Sequence, residues 1–453
     1  MKIFFILALA WHVSTADDPC HPCHCINQNI ACSNSGLTAV PTSTFRNLPN
    51  AKSYQMLDLS NNNISDLPQD AFANLAIQTI LLNNVSLVSM HLNAFLSVST
   101  NLTELQIADN KIKTIPTALE KLKVLQKLDI RNNPIVGSEF DDKVFQSLGN
   151  TLKEFHFGSP TISQWPLTLT HFPKLEVLDM DGSKIQWLPF TAFHGFEFTL
   201  KNLTIRNTEL FQVPQAISSL VHLQTLNFDN NVNVGDNGIL ASAFTNPDDV
   251  SGSSSITHLS LKNNSLTTMP SVLRKLTRLQ TLEMDNNQMW YISDNSVINI
   301  QSKNLSDLSL QNCNLDRIPH SLLRLSSLKS LDLTGNRIHS IELNDISQHN
   351  MTKLYLSNNP VEYVSDDAFR NMPDMTEISF AGSKLKHLPH ALMNIMTSLK
   401  TINLDGCDVE CTCDLTWFSG KIDLNRIQII GDCETIEKSV EDYMIQRVPK
   451  CPP

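Results

Sequence analysis

Apolar positions recur along this chain in the phrase L-x-x-L-x-L-x-x-N-x-L. Leu102, Leu105, Ile107, Asn110 and Ile112 show it, as do Leu279, Leu282, Met284, Asn287 and Met289. About fifteen copies are present, with ninth positions at 62, 85, 110, 133, 160, 183, 208, 231, 264, 287, 313, 336, 359, 383 and 407. The L-x-L alternation predicts a short strand with one face buried and one face wet. Strands of successive coils then stack in parallel about 4.8 Å apart, giving a concave sheet roughly 70 Å long over about fifteen coils. The ninth side chain turns inward, where it must hydrogen-bond backbone groups that the sheet leaves unpaired. Asn110, Asn133, Asn264, Asn287, Asn336 and Asn359 are the buried ladder expected from this pattern, with Cys313 and Cys407 in the same register.

A second period lies over the first. From Asn110 to Asn336 the steps between ninth positions run 23, 27, 23, 25, 23, 33, 23, 26 and 23 residues. The shorter coils share a tail such as TIPTALEKLKVL or RIPHSLLRLSSL, whereas longer ones carry Phe72, Phe95, Phe145, Phe193, Phe244 or Phe369 at similar depth. Leu and Phe tails are expected to alternate along an irregular convex side of 3-10 turns and short helices. The 33-residue step holds DNGILASAFTNPDDVSGSSS (236–255), whose Pro, Asp, Gly and Ser content reads as a surface loop.

The N-terminus changes the compartment. Lys2, the apolar run from Ile3 to Ala10 and the small residues Ser14, Thr15 and Ala16 read as a secretory signal peptide over 1–16. With no other run of that apolarity, the expectation is a soluble, exported product. Eight of the ten cysteines then stand in two clusters, Cys20, Cys23, Cys25 and Cys32 at the front and Cys411, Cys413, Cys433 and Cys451 at the back. His21 and His24 beside the first cluster would suit zinc, but an exported chain favours disulfides. Terminal coils expose core on their outer faces, so caps are needed, and small caps need staples.

The repeated phrase is the leucine-rich repeat consensus, whose ninth position takes Asn or Cys. Together with its cysteine clusters and Leu415 and Trp417, the chain resembles the extracellular leucine-rich repeat superfamily, which includes Toll-like receptor ectodomains, Slit and chondroadherin. The resemblance implies an α/β-type solenoid: one right-handed horseshoe with disulfide caps at both ends. It places an N-terminal cap at 17–50, the repeats at 51–410 and a C-terminal cap at 411–453. It also implies the pairs Cys20–Cys25, Cys23–Cys32, Cys411–Cys433 and Cys413–Cys451. A Cys313–Cys407 bridge is excluded by distance: four coils separate them by roughly 19 Å, against a limit of about 7 Å between disulfide Cα atoms.

Charge narrows the partners. With 34 basic and 45 acidic residues the net charge is −11, which argues against nucleic acid or an anionic membrane. Asn63, Asn84, Asn101, Asn202, Asn263, Asn304 and Asn350 lie in N-x-S/T sequons, candidates for glycosylation on export. LDMDGSKI (178–185) places Asp179 and Asp181 before a glycine as a calcium loop does, yet the repeat accounts for both residues. No hydrolase elbow, H-E-x-x-H or phosphate-loop motif is present, so neither catalysis, metal nor cofactor is expected.

The informative side chains are those projecting from the strands. Position five reads Asp58, Leu81, Gln106, Asp129, His156, Asp179, Thr204, Asn227, Ser260, Glu283, Ser309, Asp332, Tyr355, Ser379 and Asn403. Position seven of the middle coils reads Asp181, Arg206, Asp229, Lys262 and Asp285. Asp179, Asp181, Arg206, Asp229, Lys262, Glu283 and Asp285 are therefore the candidate ligand face, either a docking surface or a self-satisfied ladder of charges. Trp187 and Trp290 are aromatic anchor candidates that could equally pack on the next coil. The function expected is an extracellular module that binds a protein or surface glycan in recognition, adhesion or matrix. The alternative is a non-catalytic subunit of a secreted enzyme or receptor complex.

Overall fold

Period-two alternation produces strands of about three residues with a buried centre, and these pair in parallel, coil to coil. The computed structural model describes residues 18–49, 54–136, 140–245, 254–293, 300, 302–419 and 426–451. The leader over 1–16 and residues 246–253 of the long insert lie outside that set. The chain divides into two compact units: one holds residues up to Lys184 with His194–Leu200, and the other holds Ile185–Phe193 with everything from Lys201.

In the first unit, His24–Ile26 runs antiparallel to Asn29–Ala31. Parallel pairing then continues through Met56–Asp58, Thr79–Leu81, Glu104–Gln106, Lys127–Asp129, Glu154–Phe157 and Val177–Asp181. Leu57, Ile80, Leu105, Leu128, Phe155 and Leu178 fall opposite one another in register and are buried. The second unit repeats the scheme through Asn202–Arg206, Thr225–Asn227, His258–Ser260, Thr281–Glu283 and Asp307–Ser309. It continues through Ser330–Asp332, Lys353–Tyr355, Glu377–Ser379 and Thr401–Asn403 to Gln428–Ile430.

The tails behave as two classes. Pro116, Pro166, Pro214, Pro270, Pro319 and Pro389 each precede a five-residue 3-10 helix. Proline suits the start of a helical turn, where its missing N–H is not needed. Phe72, Phe95, Phe145, Phe193, Phe244 and Phe369 are all buried. Phe145 sits on the helix Asp142–Leu148, capped by Asp141, with its ring 5.0 Å from Phe172 and 5.8 Å from Phe155. The strict alternation of tails does not hold at the front, where Phe72 and Phe95 of successive coils stack at 5.5 Å. The insert is also not all loop: Ile239, Ala243 and Phe244 are buried on two short 3-10 turns.

The ladder carries the coils. Asn287 Nδ2 donates to Leu261 O at 2.9 Å in the preceding coil and to Met284 O at 2.8 Å in its own, while its Oδ1 accepts from Leu266 N at 3.1 Å. Asn110, Asn133, Asn264, Asn336 and Asn359 make the same three kinds of contact. The Cys313 and Cys407 thiols donate to the matching carbonyls of Met284, at 3.3 Å, and Phe380, at 3.0 Å. Both cysteines are free and buried, and burial pushes the Cys313 thiol up to about 12, so it carries no thiolate at neutral pH.

One coil departs from the register. Pro160 is exposed and Ser159 turns inward instead, because proline has no side-chain donor for the ladder. Gly158, two residues before Pro160, makes the shift possible: its φ is +142°, and a Cβ there would lie 1.8 Å from Asp181 O.

Disulfides Cys20–Cys25 and Cys23–Cys32 staple the front hairpin, and Cys411–Cys433 and Cys413–Cys451 staple the back. There the helix Val440–Gln446 buries Val440 and Met444. Removing one ladder amide strands two carbonyls and one N–H, at about 1–3 kcal/mol for each buried group left without water. Asn287→Ala should therefore lower stability by roughly 3 kcal/mol in denaturant titration, and Cys313→Ala, which loses one weak donor, by less. Equal losses for the two variants would remove the ladder's claim to be the main tie between coils.

Candidate functional site

The strand side chains of the first unit form one series of hydrogen bonds and ion pairs. Asn83 Nδ2 donates to Gln106 Oε1 at 2.9 Å, and Gln106 Nε2 to Glu104 Oε1 at 2.7 Å. Lys127 Nζ lies 3.6 Å from Glu104 Oε1 and 3.0 Å from Glu154 Oε1. His156 Nε2 meets the same Glu154 oxygen at 2.7 Å, while its Nδ1 meets Asp179 Oδ2 at 3.0 Å. Arg131 closes the series, with Nη1 3.0 Å from Asp179 Oδ2 and Nη2 2.6 Å from Asp129 Oδ2. Asp179 is thus a buried acceptor for two cations through Oδ2, while its Oδ1 has no hydrogen-bond partner among the described residues. Asp181 ends the strand Val177–Asp181 and Arg206 ends Asn202–Arg206, and each has interactions of its own.

His156 has a carboxylate oxygen at both ring nitrogens. Ionised carboxylates only accept, so both nitrogens must carry hydrogen and the ring is an imidazolium. Burial works against that charge, but the hydrogen bonds to Asp179 and Glu154 and the field of Asp129 outweigh it and hold the pKa above its ordinary value. Glu154 is shifted the other way: burial opposes ionisation, and hydrogen bonds from His156 and Lys127 prevail to lower its pKa.

The second unit is more acidic. Lys262 Nζ lies 2.8 Å from Glu283 Oε1 and 3.4 Å from Asp285 Oδ2. Asp229 Oδ1 accepts from Ser260 Oγ at 2.6 Å and Lys262 N at 2.8 Å. Asp285 Oδ1 repeats that arrangement one repeat further on, with Ser309 Oγ at 2.5 Å and Gln311 N at 2.9 Å. Asp332 accepts from Gln311 Nε2 at 2.8 Å and Thr334 N at 2.9 Å. Of the carboxylates Asp229, Glu283, Asp285 and Asp332, Lys262 pairs with Glu283 and Asp285, so acidic side chains outnumber basic ones on these coils. Asp332 is raised above the usual carboxylate range, first by burial and further by the charge of Asp285. Asp229 is raised in the same way, by burial and then by Glu283.

A role for these residues that the sequence pattern did not suggest is backbone capping. The chain turns away from the sheet after position five, leaving the position-seven N–H without a strand partner. Asp58, Asp129, Asn227, Asp332 and Asn403 accept from it two residues on, at 2.9–3.1 Å. Asp229 and Asp285 perform the same service for the following coil. The signal was available in the recurrence of Asp or Asn at position five. The turn itself is made by a left-handed residue just before the ladder position, at Asn84, Asn132, Asn230, Asn263, Asn286, Asn312 and Asn358, among others. Short amide side chains tolerate that conformation.

All seven sequon asparagines are exposed. Asn84 and Asn263 already donate Nδ2 to Asn61 and Asn230 of the neighbouring turn, and Asn350 to Ser326 O. Trp187 and Trp290 are both exposed. Tyr291 beside Trp290 carries Arg317 over its ring at 5.6 Å. At the calcium-loop candidate Asp179 and Asp181, Asp179 Oδ2 is already taken by Arg131 and His156.

Parallel three-residue strands, an inward amide ladder and proline-led convex turns define a leucine-rich repeat solenoid. The Leucine rich repeat family profile matches residues 76–135, 303–361 and 349–409, and a related Leucine Rich Repeat profile matches 55–75. The fold and these matches make the chain a leucine-rich repeat protein and support the extracellular leucine-rich repeat superfamily, with disulfides near both ends that fit caps.

Among relatives, Leucine-rich repeats and immunoglobulin-like domains protein 3 of Homo sapiens is 38% identical over 98 residues, 22% of this chain and 8% of that protein. Podocan-like protein 1 of Mus musculus is 25% identical over 212 residues, 37% of this chain and 36% of that protein. Asporin of Bos taurus is 25% identical over 232 residues, 46% of this chain and 60% of that protein. The chain thus spans less than two thirds of each relative. In fold it is similar to a Leptospira interrogans leucine-rich repeat protein (TM-score 0.64, 21% identity, covering 89% of this chain and 95% of that one). It is similar also to TLR13 in the TLR13–ssRNA13 complex (TM-score 0.51, 17% identity, covering 91% of this chain and 78% of that one). Among the described residues no helix is long and apolar enough to cross a membrane.

The paired imidazolium gives a pH signature. A histidine whose pKa is raised on folding contributes stability fully below its unfolded value of about 6.5 and loses it as pH rises through the folded value. The melting temperature of the native protein should fall as pH rises above about 6.5, and the slope should flatten in His156→Gln. Identical slopes would mean the ring is not held as a cation.

Proposed function

We propose that this chain is a secreted extracellular module that binds another protein through the acid-lined strands of its second unit, with no catalytic chemistry of its own. The observation that carries the reading is the run of carboxylates Asp229, Glu283, Asp285 and Asp332 on rigid, hydrogen-bonded strands beside Lys262. A fixed negative strip fits a partner that presents Lys or Arg side chains, and it repels phosphate. The complex in which TLR13 was solved contains ssRNA13; the carboxylates here favour a basic protein surface over such a ligand. The disulfide caps and exposed sequons fit an oxidising, glycosylating route of export. Asn202 opens the first strand of the same unit, so a glycan there would border the strip and leave the later coils accessible.

Asp229 and Asp285 hold backbone, so they are poor probes of binding. Glu283 is better, because its side chain is 39% exposed and caps nothing. Native capture from the extracellular medium with the intact tagged protein should retain a basic partner at moderate salt. Affinity should drop roughly tenfold in Glu283→Lys, weaken as salt shortens the screening length, and stay unchanged in Asp367→Lys on a convex tail. A partner held equally by the wild type and Glu283→Lys moves the site off this strip. An enzyme captured at one-to-one stoichiometry would instead make the chain a subunit.

A further inference from the structure

The flank of the second unit exposes apolar surface that neither the core nor the strands use. Inward residues Ile185, Leu210, Val213, Val234 and Ile239 are buried, while their outward neighbours are not. Trp187 is 71% exposed, Phe190 69%, Phe211 57%, Val232 57% and Leu240 43%. They fall on three adjoining coils just after the ladder positions Ser183, Thr208 and Asn231. Gln186 Nε2 donates to Glu209 Oε2 at 3.0 Å and ties the first flank to the second. Val213 N donates to Gly238 O at 2.9 Å and ties the second to the third. Gly238 packs so closely that a Cβ would lie 2.6 Å from Phe211 O, which brings the turn carrying Leu240 against the Phe211 backbone.

Scattered apolar residues on a surface are ordinary, but contiguous ones are not. Aromatic side chains carry roughly 150–250 Å² each, so the five together expose on the order of 500 Å², near the upper end for a monomer.

We propose that this flank, centred on Trp187, Phe190 and Phe211, is where a second copy of the chain docks. The argument for self-association is electrostatic. The chain carries a charge of −11, so most of its surface repels its own copy. Within 186–193, 209–215 and 232–241 the only charged residues are Glu209 and Asp236. Glu209 is held by Gln186, and Asp236 accepts from Thr267 N at 2.9 Å and Thr268 N at 3.2 Å. No sequon falls in those three segments, so no N-glycan rises from the patch itself. Two such patches face to face bury about 1,000 Å², the apolar centre of a standard interface of about 1,600 Å², with the polar rim supplying the remainder. A two-fold axis through the patch closes the pair, since each copy presents the same surface. The proposal is independent of what the strands bind.

Sedimentation velocity on the intact glycosylated protein, from about 0.1 to about 50 µM, tests it. A monomer–dimer equilibrium is expected that holds or tightens between about 0.15 and about 0.5 M salt, opposite in sign to the charged strip. Trp187→Glu and Phe211→Glu should each weaken it by roughly tenfold or more without moving the melting temperature, and Tyr363→Glu on a later flank should leave it intact. The two variants lie on different coils, so a folding defect in one leaves the other decisive. A monomer throughout the range, or a dimer indifferent to both variants, overturns the proposal. So does a chain that stays monomeric but captures an unlike protein through the patch.

Discussion

A primary amide with two donors and one accepting oxygen, present at eight of the fifteen ladder positions, is the interaction on which this architecture depends. The sheet hydrogen bonds only the backbone of each strand; beyond position five the chain must turn, and its polar groups enter a dry interior. Asn336 shows the solution in full. Its Nδ2 donates to Leu310 O and Leu333 O, and its Oδ1 accepts from Cys313 N and Leu315 N. Four buried backbone groups on two coils are satisfied by one side chain, where leaving each bare costs about 1–3 kcal/mol. Cysteine at the same position supplies only the donor to the preceding coil, yet fills the space with an apolar atom. That is why Cys313 and Cys407 are tolerated as inert thiols.

The same constraint limits what the exposed strand face can be used for. A carboxylate at position five or seven is within reach of an N–H that has lost its strand partner, so many of the charges facing solvent also hold the backbone. Asp229 and Asp285 are charges to an approaching ligand and caps to the next coil at once. Side chains such as Glu283, Lys262 and Tyr355 are free of that duty, and the proposed recognition would fall to them. In the first unit the division goes further, because His156, Glu154, Lys127, Asp179, Arg131 and Asp129 are bound to one another. That network is built for rigidity more than for contact.

How much of this was legible in the sequence depended on the range of the interaction. The coil repeat fixes register by itself, and the position-five series from Asp58 to Asp179 is the order in which the strands pair. The left-handed Asn, Asp or Gly before each ladder position was equally periodic, and went unread because the leucines dominated the pattern. Other features were not legible. Whether Asp285 is a free charge depends on Ser309 and Gln311 more than twenty residues away. The displaced register at Pro160 depends on the tight approach of Gly158 to Asp181. The insert misled through its average: abundant Asp, Gly and Ser hid Ile239 and Phe244, which pack as an ordinary coil tail does.

The flank beyond the ladder residue has no backbone duty, and that freedom separates it from the strand face. There, N–H capping enforces polar side chains, and an aromatic would leave a buried donor unpaired. On the flank the chain has turned outward, its inward neighbours fill the core, and side-chain choice answers only to solubility and contact. A cluster such as Trp187, Phe190 and Phe211 is therefore compatible with the fold on the flank and costly on most of the strand positions. The two surfaces also respond to salt in opposite directions, since screening weakens charge pairs while apolar burial is held or strengthened. One solenoid can thus carry a charged recognition strip and an uncharged contact edge without either interfering with the other, because different backbone requirements assign them to different sides of the coil.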